Sequence, residues 1–275
     1  MLSFIEGMRP FLYYSLAVFL LFLQSCHKDE NIDIPNTGYQ SVNSFQWVLD
    51  EVPDPTQLVG FDYIDIDGFE ATEEQVAQLQ GQGSKVIGYI SVGSLENWRP
   101  DVDDFPSEVV GKNYNGWAGE KWLDISNLKK IKAPLEARLD MLVAKGFDGI
   151  EPDNLDGYES NTGFDITKEE TLTFLLWLAE AAHQRGLLIG QKNVPEFTHD
   201  LVEIYDYVLT EDAFIQGWEE EVQDYRMKEK PVFMVEYTDE KGDWGQACKR
   251  AEQLDYTFLL KQRDLDLWMA DCSGS

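Results

Sequence analysis

The sequence predicts a (β/α)8 barrel, a TIM barrel, with room for one extra short strand, behind an export segment. Eight short runs rich in β-branched and aromatic residues lie between Phe45 and Leu260, bounded closely by glycine and other turn residues. Helical patterns separate the runs. This alternation implies parallel βα units, and eight of them imply closure into a barrel rather than an open sheet. The 275 residues, 43% hydrophobic and 13% aromatic, carry ample material for one large core.

The first element is an address. Arg9 precedes a run from Phe11 to Leu23, apolar but for Ser15, too short to span a bilayer and the right length for a signal-peptide core. Residues 1–25 therefore read as a lipoprotein signal peptide. Leu23-Gln24-Ser25-Cys26 resembles a lipobox, cut before a cysteine that becomes lipidated. An ordinary secretory signal with Cys26 incidental is the alternative. Met8 offers a second start with a tidier basic segment, and Lys28-Asp29-Glu30 resembles the acidic export signals of surface lipoproteins in some Gram-negative bacteria. Residues 26–42, the modified cysteine and a polar stretch with Asn, Pro, Gly and Thr, read as a tether. The barrel occupies 43–275.

Within it the strand candidates are Phe45–Leu49, Tyr63–Ile66, Lys85–Val92, Phe147–Glu151, Leu187–Gln191, Tyr207–Thr210, Val232–Val235 and Tyr256–Leu260. Helical spacing is clearest at Glu73–Gln80, Leu135–Lys145, Lys168–Arg185 and Gly245–Leu254. The extra strand falls at Trp122–Ile125, inside the long third connection.

Charge narrows the partners. Lys and Arg number 22 against 51 Asp and Glu, a formal net charge of −29. Nothing in such a chain could displace counterions from nucleic acid, and anionic surfaces are disfavoured equally. Cys248 and Cys272 are either bridged, as an oxidising compartment permits, or two buried thiols. The three histidines, His27, His183 and His199, lack ligand spacing, so no metal and no cofactor is expected.

In barrels of this kind the reacting groups sit at the carboxyl ends of the strands. Those ends read Asp67, Ser91, Glu151-Pro152-Asp153-Asn154, Lys192-Asn193, Glu211-Asp212 and Glu236-Tyr237. A carboxylate after a strand often caps the next helix. Acids at four strand ends are harder to explain that way. Paired carboxylates without metal ligands or a catalytic histidine are the equipment of glycoside hydrolysis. Tyr89-Ile90-Ser91-Val92-Gly93 comes near a serine nucleophile elbow, but Tyr89 replaces the glycine that the turn requires.

The residues at this point resemble the glycoside hydrolase family of endo-α-1,4-polygalactosaminidases and their relatives. The likeness runs from about Phe45 to about Tyr237 and rests on ordered stretches. These are Gly88 through Ser94 with Glu96 and Arg99, then Trp117 through Glu120 to Ile125, then Gly146 through Tyr158, the most specific. Gly186-Leu187, Gly190 through Asn193, Leu209 through Glu211 and Val235 through Tyr237 complete the pattern. The resemblance implies a barrel and a retaining mechanism on polymers of galactosamine and its N-acetylated form. It carries the family's catalytic aspartate onto Asp153, as nucleophile, and its glutamate onto Glu211, as acid/base. Asp67, Tyr89, Asp156, Lys192, Asn193 and Glu236 would line the substrate groove. Many secreted relatives have a cysteine two residues after the glutamate, where this chain has Ala213, which removes a loop brace.

Trp98, Trp117 and Trp122 could stack on sugar rings or be buried, and Arg99 and Arg138 are expected to pair with surface acids. An acidic groove would attract a polymer bearing ammonium groups. The alternative places the excess acid on the outer helices, at Glu219-Glu220-Glu221 and Asp239-Glu240. The expected partners are thus a polysaccharide, and a membrane through the lipid anchor alone. The chain is expected as a monomer at the bacterial outer membrane, the cell surface or the periplasmic face. Two other readings stay open: hydrolysis of a different α-linked glycan, and a glycan-binding lipoprotein without catalysis.

Overall fold

The computed structural model describes residues 39–274, so the signal segment, Cys26 and the tether up to residue 38 lie outside the described residues. Twelve strands are present: β1 (Phe45–Val48), β2 (Tyr63–Asp67), β3 (Lys85–Ser91), β4 (Ser94–Glu96), β5 (Val110–Asn113), β6 (Glu120–Leu123), β7 (Gly149–Asp153), β8 (Leu188–Lys192), β9 (Tyr207–Glu211), β10 (Val232–Tyr237), β11 (Thr257–Lys261) and β12 (Met269–Ala270). The helices are α1 (Glu73–Gly81), α2 (Leu128–Lys145), α3 (Lys168–His183), α4 (Thr198–Leu201), α5 (Ala213–Gln216), α6 (Asp224–Met227) and α7 (Trp244–Leu254).

The main sheet runs β1-β2-β3-β7-β8-β9-β10-β11-β12, with every pair parallel except β11 and β12. All eight expected strands are found. The seam between β11 and β1 is closed by side chains and loop. Lys261 Nζ donates to Gln46 Oε1 at 3.1 Å and to the Asp266 carbonyl, and the Leu49 amide donates to the Leu265 carbonyl at 2.9 Å. Burial pulls the Lys261 ammonium down to about 7.

Strand alternation decides what fills the barrel, because every second side chain points inward. The amino-terminal end is aromatic. Phe45 stacks on Phe233 at 4.2 Å, with Tyr63 and Tyr207 tilted against the same ring. Tyr207 reaches across β8 to donate its hydroxyl to the Ile150 carbonyl at 2.7 Å. It can do so because position 190 is glycine, where a Cβ would lie 2.3 Å from the ring. The packed apolar floor leaves the opposite end free for polar chemistry.

Local signals set the helices. Thr72 with Gln75, and Thr167 with Glu170, form capping boxes that start α1 and α3. Gly146 ends α2 with a left-handed φ of 87°. That helix begins earlier than expected, at Leu128, and runs through Pro134. A proline forfeits one helical hydrogen bond, and here the buried face of Ile131, Pro134, Leu135 and Leu139 outweighs it.

The third connection holds more than one extra strand. β4, β6 and β5 form a separate antiparallel sheet, in which Glu120–Leu123 stands close to the expected Trp122–Ile125. Gly93 docks this sheet on the barrel: a Cβ there would lie 1.6 Å from the Asn154 carbonyl oxygen. Arg138, fully buried, ties the same connection down by gripping Asp101 through two nitrogens and the Ser91 carbonyl through a third. Cys248 of α7 and Cys272 are bridged, their Cα atoms 5.5 Å apart. Among the described residues no helix is long and apolar enough to cross a membrane.

Candidate active site

A cleft of about 1340 Å3 opens where the strands end, the face on which barrel enzymes carry their reacting groups. The last residues of β7, β8 and β9 are Asp153, Lys192 and Glu211, and they meet there. Lys192 Nζ lies 3.0 Å from Asp153 Oδ1 and 3.2 Å from Glu211 Oε2. Those two oxygens are therefore no more than about 6.2 Å apart, the two distances laid end to end.

Lys192 is almost wholly buried and is fixed from beneath. Its ammonium meets Glu151 Oε1 at 2.6 Å and lies 4.6 Å from the Trp47 ring centre. The Trp47 indole in turn donates to Glu151 Oε2 at 2.9 Å. Burial alone would favour a neutral amine, but the carboxylates of Asp153, Glu151 and Glu211 hold it charged, well above its ordinary range.

Each upper carboxyl has further donors. The Tyr89 hydroxyl donates to Asp153 Oδ2 at 3.2 Å. Burial and the Asp153 charge push that phenol well up, so it stays a donor. Glu211 accepts from the Tyr237 hydroxyl on Oε1 and from Asn193 Nδ2 on Oε2 at 3.0 Å. The Glu211 amide donates back to Asn193 Oδ1 at 2.8 Å, which fixes the asparagine's orientation. Burial raises the Glu211 carboxyl, yet Lys192 and the hydrogen bonds from Tyr237 and Asn193 outweigh it and hold it below the usual range. Arg263 lies over the Tyr237 ring at 4.0 Å and also pairs with Asp212.

The backbone is strained just where these strands end. Asn154 (φ 64°), Asn193 (φ 51°), Val194 (φ 46°) and Asp212 (φ 54°) all adopt the left-handed region within two residues of β7, β8 or β9. A β-branched valine there is unusual, and such conformations gather at sites that need an exact side-chain aim. Asn154 uses its turn to send Nδ2 to Ser91, Ser94 and Glu120, each at 2.9 Å. Glu120 lines the cleft, and burial pushes its carboxyl up to about 7.

Of the residues expected to line the groove, Tyr89, Asp156, Lys192 and Asn193 do so. Asp67 also borders it, but its carboxylate is committed to a bidentate pair with Arg99 and to the amides of Phe69 and Glu70. Glu236 does not line it, and this corrects the sequence reading. Its carboxylate is buried and accepts from the amides of Phe214 and Ile215 at the start of α5, while burial raises it to about 7. The inward neighbour is Tyr237, one residue on, and the period of two along a strand makes that single step decisive.

Ser91 is buried in the Asn154 network, and His183 pairs with Asp206 at 2.9 Å on the surface, so these two do not meet in a serine triad. Among the described residues no group of His, Cys, Asp and Glu could hold a metal ion. Arg138 pairs with Asp101 as expected, whereas Arg99 grips the buried Asp67 and Glu96 rather than surface acids. Trp122 is buried against Tyr114. Trp98 and Trp117 stand 49% and 58% exposed on the cleft wall, free to stack on a ligand. The strand-end reading names Tyr237 only beside Glu236 and does not reach Trp47 or Arg263. The alternation Phe45-Trp47 and Phe233-Val235-Tyr237 was the signal that could have found two of them.

The cleft is acidic. Fourteen Asp and Glu residues line it against three bases, Arg99, Lys192 and Arg263, all already paired with carboxylates. On the outside, by contrast, Glu219 and Glu220 are paired with Arg250, and Asp239 and Glu240 with Arg263. The excess acid thus reaches the groove as well as the outer helices.

A family model described as glycoside-hydrolase family GH114 matches residues 28–275. The crystal structure of Aspergillus fumigatus Ega3 in complex with galactosamine is 32% identical, with a TM-score of 0.79, covering 88% of this chain and 98% of that one. The glycoside hydrolase domain of PelA from Pseudomonas aeruginosa shares the fold, at 18% identity and a TM-score of 0.65, covering 83% of this chain and 98% of that one. An uncharacterized protein of Deinococcus radiodurans is 25% identical over 236 residues, 77% of this chain and 75% of its own length.

Proposed function

The chain belongs to glycoside-hydrolase family GH114, and on that premise we propose that it cleaves an α-linked, amine-bearing polysaccharide with retention, through Asp153 and Glu211. The observation that carries this reading is their spacing. Retaining enzymes hold the two carboxyls roughly 5–5.5 Å apart, and inverting ones roughly 6.5–9.5 Å, to admit a water. A ceiling of about 6.2 Å between the facing oxygens supports the first arrangement.

In the proposed cycle Asp153 attacks the anomeric carbon while Glu211 gives its proton to the departing oxygen. Water then attacks the glycosyl-Asp153 ester, with Glu211 taking the proton back. Lys192 and Tyr89 steady the Asp153 carboxylate before attack. Glu211, held ionised in the free site, must take up its proton before it can serve as acid. The variants discussed below test this assignment of roles against its reverse.

The substrate class rests on the acidic cleft and on the likeness to Ega3, the structure of which contains galactosamine. Ammonium groups on the sugars would be drawn to the fourteen carboxyls, and Trp98 and Trp117 would carry the rings. Anchoring to a bacterial membrane through Cys26 belongs to the same proposal and rests on the sequence of residues 23–26. The test uses polymers of matched length at several acetylation levels, each at two ionic strengths. The polymer richest in free amine should have the highest kcat/KM, by about tenfold or more at low salt. The gap should narrow as salt shortens the screening length below about 10 Å. A preference for the fully acetylated polymer without salt dependence would remove the electrostatic reading of the cleft.

A further inference from the structure

Directly beneath the Lys192 cluster lies a carboxyl that the proposed mechanism does not use. Asp65 sits on the inward face of β2, in register with Trp47 of β1 and Ile87 of β3, and is wholly buried. Neither of its oxygens has a conventional hydrogen-bond donor. The polar group against it is the Glu151 carboxyl, the one that receives the Trp47 indole and the Lys192 ammonium. The charged and titratable groups facing it are Glu151 and Asp153 from β7, Lys192 from β8 and Tyr207 from β9.

Four carboxyls, of Asp65, Glu151, Asp153 and Glu211, therefore surround one buried ammonium. Were all ionised, the cluster would carry three uncompensated negative charges, and such burial is costly. Two carboxyls in contact without an intervening donor satisfy each other only when one of them carries a proton. Glu151 already accepts from two donors, so Asp65 is the member that must supply the hydrogen.

We propose that Asp65 is a permanently protonated positioning residue, which donates to Glu151 and leaves the Lys192 charge free to govern the catalytic pair. Burial and the neighbouring Glu151 charge push the Asp65 carboxyl well above its usual range, in keeping with this role. The proton has a geometric consequence. It keeps Glu151 a singly charged acceptor aimed at Lys192 from below, so the ammonium stays centred between Asp153 and Glu211. The inference rests on the proposed chemistry only in naming what Lys192 governs; the protonation state can be read without any glycan.

Two measurements test it. In wild-type protein labelled with 13C at the aspartate side-chain carboxyl, one resonance should keep its protonated position up to pH 8, and it should vanish in Asp65→Asn. The second is the pH profile of kcat/KM. Asp65→Leu cannot donate, so the buried Glu151 carboxyl takes up a proton itself and Lys192 acts undiluted on the upper pair. Activity should fall about tenfold or more and both limbs should move to lower pH. Asp65→Asn, neutral and able to donate, should restore the wild-type profile to within about threefold, a difference near 0.65 kcal/mol. An aspartate set fully ionised at pH 8, or Asp65→Asn shifting the profile as Asp65→Leu does, would overturn the proposal. The labelling experiment stands on the wild type alone if either variant does not fold.

Discussion

Asp153→Asn and Glu211→Gln should each lower kcat on the polymer by about a thousandfold or more, with the fold intact. Each swap preserves shape and removes one ionisable group from a pair whose members are needed in different steps. Loss of only about tenfold would be worth about 1.4 kcal/mol of barrier, too little for either role. The roles separate on a substrate with a good leaving group, such as an activated aryl glycoside. Such a substrate needs no proton for departure, so Glu211→Gln should still form the glycosyl-enzyme, whereas Asp153→Asn should not. The opposite pattern would exchange the two assignments.

The second large effect is expected at Lys192. Lys192→Met keeps most of the length of the side chain and removes the positive charge that Glu151, Asp153 and Glu211 share. Activity should fall about a hundredfold or more, because the Asp153 carboxyl loses the ammonium that aims it for attack on the anomeric carbon. The change also reverses a stability trend. In the wild type the Glu211 carboxyl is lowered from its ordinary 4.5. Its contribution to stability is therefore present above that value and lost as pH falls through the depressed folded value. Without Lys192, burial and Asp153 should raise the same carboxyl above its unfolded value. The variant should then gain stability as acid is added, and lose it as pH rises through the raised value. Melting temperatures between pH 4 and 8 check the sign. A variant whose melting temperature falls in parallel with the wild type would show that Lys192 does not set this balance.

Why the sequence singles out Asp153 and Glu211 and not their surroundings has a physical answer. Asp153 and Glu211 end strands, and the ends of apolar runs are visible in a sequence. The eight barrel strands were legible for the same reason, since each combines β-branched residues with bounding turns. Glu236 was misplaced because the strand-end rule alone does not say which face a residue takes. The alternation Phe233-Val235-Tyr237 turns Tyr237 inward and sends Glu236 to cap α5. β4 and β5 carry no legible signal because strands of three or four residues are too short to show a period, and their pairing depends on contacts far along the chain. Pro134 concealed the first two turns of α2, where tertiary burial overrides local propensity. Asp65 was hidden among the apolar residues of β2, and its meaning appears only when the fold brings Glu151 beside it.

The stereochemistry of the first-formed product tests the central claim most directly. The protein should be mixed with an α-linked, largely deacetylated polymer and the anomeric protons followed by NMR before mutarotation obscures them. The account predicts that the new reducing ends appear first as the α anomer, at a rate abolished in Asp153→Asn. First appearance of the β anomer would contradict it, because inversion needs room for a water between carboxyls roughly 6.5–9.5 Å apart, whereas the oxygens of this pair that face Lys192 lie within about 6.2 Å of each other.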